Sequence, residues 1–359
     1  MRFIYIDRSC KVNGCTTFVL LLGEALVKRG HEFIYAARGG PLSPQFEQVG
    51  AQHLKTLCKP FNKWQIDRHL RSHPQDVFLC SGRGQTVTAL KLAEAHRRPS
   101  ICFVQDPLRP EDTLEVMMRP NALVTPEAQV YADLLKLGVP AEKATLIPRP
   151  IRARELAPPP VAGFSLLFIG RLSENKWAAP RALVEAVPGI HKEIPELRVS
   201  IVGTGAKLKA IAALAGEANR ECGSQVIEVV GQTLDPLGWM ERANLVVAGG
   251  YACMEAVYNG RPAIAAGYGW FGPVERGSVA AAVDCHFGDR REKHHEAKWM
   301  RDAVIAVHNA LQDPTAAARY TDLRGEFAED HSPDACAQTV EKLAAELIAR
   351  AVGNRTSGE

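Results

Sequence analysis

Two fixed cations stand just past an apolar, strand-like run. Phe164 to Ile169 is followed by Gly170-Arg171-Leu172-Ser173-Glu174-Asn175-Lys176-Trp177. Open parallel sheets bind ligands outside the carboxyl ends of their strands. At such a place a planar guanidinium and a mobile ammonium five residues later can grip a diphosphate from two sides. A surface turn with solvated cations is the alternative for the same residues. Val202-Gly203-Thr204-Gly205 repeats the pattern of strand and glycine loop, as a close approach for a ligand or as a tight turn. A third strand-like run, Leu245 to Ala248, passes through Gly249-Gly250 into a helix-like segment with Cys253, Met254 and Glu255. The N–H groups and the positive dipole end of that helix suit a second phosphate position. Glu255, read near the first turn of the helix, is placed to accept hydrogen bonds from a vicinal diol such as ribose. An acid there also compensates the helix dipole.

Elements in the right order position these loops. Strand-like and helix-like segments alternate over Arg2 to Ile6, Thr16 to Arg29, Glu32 to Ala36, Asp76 to Cys80, Thr86 to Ala95, Ser100 to Val104 and Ala122 to Val124. Such alternation predicts βαβ units and parallel sheets. Pro148, Pro150 and Pro158-Pro159-Pro160 interrupt it, which marks an interdomain linker. It restarts at Ser165 and runs through Pro180 to Lys192, Leu197 to Val202, Ala206 to Ala218, Val226 to Val230, Asn244 to Ala248, Cys253 to Asn259 and Pro262 to Ala265. The expected fold class is α/β, with two doubly wound Rossmann-like domains, 1–155 and 161–332, facing each other across a cleft. From about residue 298 the pattern reads as helical to near Ala351, with a final helix over 333–352 and an irregular tail, GNRTSGE. Val340, Leu343, Ala344, Leu347 and Ile348 give that helix one apolar stripe, for the first domain or for a dimer contact.

The 359 residues include 46% hydrophobic and 23% charged, enough for two cores, and the formal charge of +3 points to no nucleic-acid partner. Nine cysteines without a C-x-x-C pair, in a chain that opens on MRFIYID, read as reduced cytoplasmic thiols. No apolar run reaches the length of a membrane span, so any membrane contact is expected to be peripheral.

Together these motifs resemble the GT-B glycosyltransferases, most nearly the family-4 type, over Met1 to about Asp330. The family's G-R-L-x-x-x-K is met by Gly170, Arg171, Leu172 and Lys176, its V-G-x-G by Val202, Gly203 and Gly205, and its E-A-x-x-x-G-x-P by Glu255, Ala256, Gly260 and Pro262. Gln225 to Ala248, with Gly231 and Trp239 to Asn244, is similar to its base-binding turn and short helix. Asn13-Gly14, then Val19, Leu22, Ala25, Leu26 and Arg29-Gly30-His31-Glu32-Phe33, resemble its first loop, helix and turn. The resemblance implies a nucleotide-diphosphate sugar donor of UDP or GDP type, no metal and no other cofactor. It further implies that Arg171 and Lys176 stabilise the leaving diphosphate, that Glu255 holds ribose, and that backbone at Gly231 and Gln232 reads the base. Gly14, Gly203, Gly205, Gly250 and Met254 would lie along the donor. Asn13 and Gln105 would face the sugar or the acceptor, which is a glycan, a lipid or a small molecule bound mainly by the first domain. The chain departs from the family pattern at three places. The position eight before Glu255 is Val247 rather than a glutamate, Gln105 stands where a histidine is usual, and Ile147-Pro148-Arg149-Pro150-Ile151-Arg152 replaces I-P-N-G-V-D. Family likeness favours retention of configuration. Inversion would need a base, for which Asp7 and Asp106 are the candidates at predicted strand ends. A sugar-nucleotide epimerase and a catalytically degenerate sugar-nucleotide-binding protein fit the same motifs.

Other segments have plainer expectations. His286, His294 and His295 read as solvated surface rather than a metal site, and His31 as part of a helix end. Gly267 to Pro273 is a glycine-rich aromatic loop, either a cover for a sugar or an anchored turn. Lys59 to Arg71 mixes cations with Phe61, Trp64, Ile66 and Leu70, as an interfacial anchor or, the reading preferred, a helix that packs Trp64 and Leu70 into the core.

Overall fold

The protein is described here by a computed structural model covering residues 1–58, 61–81, 83–157 and 163–356. The linker prolines Pro158-Pro159-Pro160 and Lys59 lie outside these residues. The chain divides into two compact units, Met1–Arg152 with Glu329–Glu359, and Ala153–Ala328.

The first unit holds seven strands: β1 (Arg2–Ser9), β2 (Glu32–Arg38), β3 (Gln52–Lys55), β4 (Val77–Ser81), β5 (Ser100–Phe103), β6 (Ala122–Thr125) and β7 (Ala144–Leu146). They lie in the order β3-β2-β1-β4-β5-β6-β7 with every pair parallel. Parallel sheets need both faces covered, and the central strands are accordingly buried and mostly apolar on both faces. Phe3, Tyr5, Val77, Leu79, Ile101 and Phe103 point to one face, while Ile4, Ile6, Phe78, Cys80, Cys102 and Leu123 point to the other. Helix Gly14–Lys28 packs on the first of these faces and starts where the Asn13 side chain accepts the Thr16 N–H at 2.9 Å. Helix Pro333–Thr356 lies against it, burying Cys336, Ala337, Val340 and Ala344, with Arg29 paired to Asp334 and Glu341.

The second unit holds β8 (Phe164–Ile169), β9 (Leu197–Val202), β10 (Ile227–Gly231), β11 (Leu245–Ala248), β12 (Ala263–Ala266) and β13 (Trp270–Val274), in the order β10-β9-β8-β11-β12-β13. Helices Ala178–Glu193, Leu208–Cys222 and Ala297–Leu311 cover it around Leu183, Ile190, Ile211 and Val304.

Several expectations change at this level. Gly267 to Pro273 is largely strand: β13 runs antiparallel to β12, so the second sheet carries one antiparallel edge. The chain turns over Gly267 to Gly269, where the Gly267 N–H bonds the Gly269 carbonyl, and Gly272 within β13 hides its period-2 alternation. The helical stretch after residue 298 breaks between Leu311 and Pro333, where Pro314 and Asp313 start a separate turn of helix. The tail expected to be irregular continues as helix to Thr356. Helix Phe61–Ser72 buries Ile66 and Leu70, but Trp64 is 61% exposed, as is its neighbour Phe61 at 62%. Strands β3 and β7 and the short helices Ser43–Gln48 and Ala128–Lys136 carry too few residues for a periodic signal.

Candidate donor site

In the second sheet the strand order reverses between β8 and β11, the switch point at which open α/β sheets bind ligands. The loop after β8 carries Arg171 and Lys176, and the loop after β11 carries Gly249 and Gly250. Backbone hydrogen bonds knit the neighbouring loops together: Gly170 N–H to Val202 O, Leu172 N–H to Thr204 O, Lys207 N–H to Leu172 O, and Gly203 N–H to Gly231 O. This close weave explains the glycines. Gly203 has φ +155°, and a Cβ there would run into the Gly170 carbonyl; one on Gly205, also at φ +155°, would meet the Leu172 carbonyl. Gly249 likewise abuts Gly267. These glycines therefore serve loop-to-loop packing, whatever else approaches their backbone.

Arg171 is exposed, whereas Lys176 is held. Lys176 Nζ donates to both carboxylate oxygens of Asp289, at 2.7 and 2.6 Å, and lies 4.6 Å from the centre of the Tyr268 ring. Both ionic side chains are only 14% exposed. Burial pushes the Lys176 ammonium below its ordinary range, the Asp289 carboxylate opposes that shift, and the Arg171 charge adds to it. Asp289 also reaches helix Gly250–Tyr258. A Cβ on Gly250, the first residue of that helix, would stand 2.5 Å from Asp289 Oδ2 and 3.2 Å from His286 Nε2. Asp289 did not stand out in the sequence, because an acid inside a basic, histidine-rich segment reads as solvated, and Tyr268 was read only as part of the Gly267 to Pro273 loop. Nothing in that pattern says that the segment folds under two glycine loops.

The remaining candidates of this unit fall around the same strand ends. Gly231 closes β10 at φ +92° with open space beside it, and Gln232 is exposed. Met254 and Glu255 are 3% and 5% exposed. Glu255 is six residues into helix Gly250–Tyr258, so it sits in the second turn, not the first, and dipole compensation is not its role. The histidine segment is less solvated than expected: His295 is partly buried, its Nε2 3.2 Å from the carbonyls of Gly267 and Tyr268, while His294 pairs with Glu296. Among the described residues no group of three or more His, Cys, Asp and Glu could hold a metal ion.

In the first unit the candidates are spread over two strand ends, those of β1 and β5. Asn13 and Gly14 open helix Gly14–Lys28, with the Asn13 side-chain oxygen committed to the cap. Asp7 lies within β1 near its carboxyl end, accepting from the Arg8 N–H at 2.6 Å and the Tyr35 hydroxyl at 2.9 Å. Burial raises its carboxyl above the ordinary range in spite of those two hydrogen bonds, which lower it. Past β5, Gln105 is 6% exposed and neither its amide nitrogen nor its oxygen has a partner, while Asp106 next to it is exposed.

Residues 12–155 match the model of the glycosyltransferase family 4, and residues 163–284 match that of the glycosyl transferases group 1. Among curated proteins no sequence matches. The fold is that of a glycosyltransferase from Rickettsia africae (TM-score 0.73, 14% identity, 97% of this chain and 98% of that one). Similar too are Anabaena HepE, solved with UDP and glucose (0.71, 14% identity, 96% and 99%), and the UDP-GlcNAc 2-epimerase of Neisseria meningitidis (0.64, 10% identity, 96% and 100%). With matched family models over both units and this fold, the chain belongs to the family-4 type GT-B glycosyltransferases, a nucleotide-sugar glycosyltransferase family.

Proposed function

We propose that the protein transfers a hexose from a nucleotide-diphosphate sugar to a hydroxyl of a glycan, lipid or small-molecule acceptor, with retention of configuration and without a metal ion. The observation that carries this reading is the meeting of Arg171, Lys176 and the Gly250 end of its helix at the switch point of the second sheet. In the step proposed, the bond between the anomeric carbon and the β-phosphate oxygen breaks while the acceptor oxygen bonds to that carbon. The acceptor proton passes to the departing phosphate oxygen. Charge builds on that oxygen, and Arg171 and Lys176 are assigned to stabilise it there, an interaction that grows as the bond breaks and so lowers the barrier. Glu255 is assigned to the ribose, Gly231 and Gln232 to the base, and Gly14, Gly203, Gly205, Gly250 and Met254 to the donor backbone contacts. Asn13 and Gln105 are assigned to the sugar or acceptor. The likeness to HepE, solved with UDP and with UDP-glucose, favours a uridine nucleotide.

Inversion is the second reading, favoured by one observation: the raised carboxyl of Asp7 is suited to taking the acceptor proton. Epimerase chemistry, supported by fold likeness alone, requires release of a 2-epimeric sugar without transfer. Peripheral contact with an anionic membrane surface is supported by the exposed Phe61 and Trp64 beside Lys63, Arg68 and Arg71.

The test is calorimetric titration of UDP, GDP, ADP, dTDP and CDP into the wild type and Lys176→Ala without divalent metal, followed by transfer assays with the sugar esters of the nucleotide that binds. Binding of one nucleotide, weakened in the variant, supports the donor site; binding of none removes it. Proton NMR of the product then decides the anomeric outcome.

A further inference from the structure

The candidate phosphate position already faces an anion. Asp289 comes from the segment after helix Val279–Asp284, bonds Lys176 through both oxygens and lies against Gly250, so its carboxylate stands at the cation and the helix end that a diphosphate is expected to use. A ligand phosphate reaching Lys176 must share it with Asp289 or displace it, and each added negative charge on that phosphate meets more repulsion. In a nucleotide sugar the β-phosphate is a diester with one charge. In the free nucleoside diphosphate it is a monoester that loses a second proton at a pKa of about 6.

We propose that Asp289 is a specificity-determining residue of the donor site, selecting the singly charged phosphodiester of a nucleotide sugar against the doubly charged terminal phosphate of a free nucleoside diphosphate. The inference rests on the donor-site reading above. It gives the pocket a direction: the departing nucleotide gains a charge when the sugar leaves, and the carboxylate that tolerated the ester then favours its release. Asp289 also supplies Lys176 with a counter-ion while the site is empty, so the ammonium is not left buried and unpaired. The other charged and titratable groups about the pair include Arg171 on the loop of Lys176, Arg290 and Arg291 next to Asp289 in the chain, Tyr268, Lys293 at 5.7 Å from the Tyr268 ring, His286 beside Gly250, His295 beneath Tyr268, and Cys253 on the helix with Cys285 near it. The cations among them attract the added charge, so what the carboxylate contributes is isolated by the difference between wild type and Asp289→Asn, taken for ester and free diphosphate.

The experiment is calorimetry of UDP and UDP-glucose, with the GDP, ADP, dTDP and CDP pairs in parallel, on wild type, Asp289→Asn and Asp289→Glu. In Asp289→Asn the free diphosphate is expected to gain about tenfold more affinity than the ester, and Asp289→Glu is expected to hold the wild-type ratio. A series from about pH 6 to 8 on wild type, Asp289→Asn and Asp289→Glu reads the same effect as a slope: across the second ionisation of the terminal phosphate, the gain of free diphosphate over ester is expected to be smaller in wild type and Asp289→Glu than in Asp289→Asn. Equal changes for both ligands in Asp289→Asn, or the same pH slope of preference with and without the carboxylate, overturns the inference alone. Absence of binding by every pair overturns the donor-site reading with it.

Discussion

The two units present their polar groups in opposite ways. In the second, charge converges: Lys176 and Asp289 are paired and largely buried, Arg171 stands beside them, and glycines hold the loops close enough to leave no room for side chains. In the first, the candidates are few, mostly neutral and separated, with Asp7 on β1 and Gln105 past β5, two strands away with β4 between them. The difference teaches where binding energy is stored. A diphosphate is recognised by fixed charge, which needs a counter-ion in the empty site. A sugar or acceptor hydroxyl is recognised by neutral donors and acceptors, and Gln105, buried with both ends of its amide unpartnered, is proposed as a group of the first unit that a ligand satisfies.

If charge in the second unit carries the chemistry, Arg171→Ala should break it most. Donor turnover, as transfer or slow hydrolysis, is expected to fall by about a hundredfold to a thousandfold, with the loss in kcat rather than in KM for the donor. A change confined to KM would assign Arg171 to uniform binding. Glu255→Gln tests the same unit for the nucleotide alone. Binding of the free nucleoside diphosphate is expected to weaken by about tenfold, and the variant should no longer prefer it to its 2′-deoxy counterpart. An undiminished preference returns Glu255 to a structural role.

The first unit should respond more mildly and in a different parameter. Gln105→Ala is expected to raise the KM for acceptor by roughly three- to tenfold while nucleotide binding stays constant; weakened nucleotide binding would erase the division of labour between the units. Asp7 sharpens the comparison through pH. Because burial raises its carboxyl, the folded chain holds that proton more tightly than the unfolded chain, so the stabilisation present below the ordinary carboxylate range is lost as pH rises through the raised value. Relative to wild type, Asp7→Asn is expected to gain stability as pH rises from the ordinary carboxylate range through the raised value, read by urea denaturation over a pH series. A gain independent of pH would remove the raised carboxyl and with it the argument for inversion. The smallest effect is expected at helix Phe61–Ser72. Phe61→Ala with Trp64→Ala should lower binding to anionic vesicles severalfold and leave transfer to a soluble acceptor intact.

Much of the fold was legible from residue order because its signals are local. Runs such as Phe164 to Ile169 and Leu197 to Val202 are long enough and apolar enough to announce buried parallel strands, and the glycines after them mark the turns. The misses share a cause. Strands β3 and β7 are too short to show a period, Gly272 hides the alternation of β13, and Trp64 reads as core by type although the helix that carries it turns it outward. Hydrophobicity says that a residue is able to be buried; only neighbouring elements decide whether it is.

The candidate site divides along the same line. That Arg171, Lys176, Gly203, Gly205 and Gly250 stand at strand ends was legible from sequence alone, since each follows an apolar run. What the tertiary structure decided is their company. Asp289 lies 113 residues beyond Lys176 in the chain and meets it because the segment after helix Val279–Asp284 folds under the loops of β11 and β12. The raised carboxyl of Asp7 and the unpartnered amide of Gln105 are likewise products of packing. Residue type fixes which charges and hydrogen bonds a chain can offer. Burial and distance set their strength, and both are properties of the folded chain.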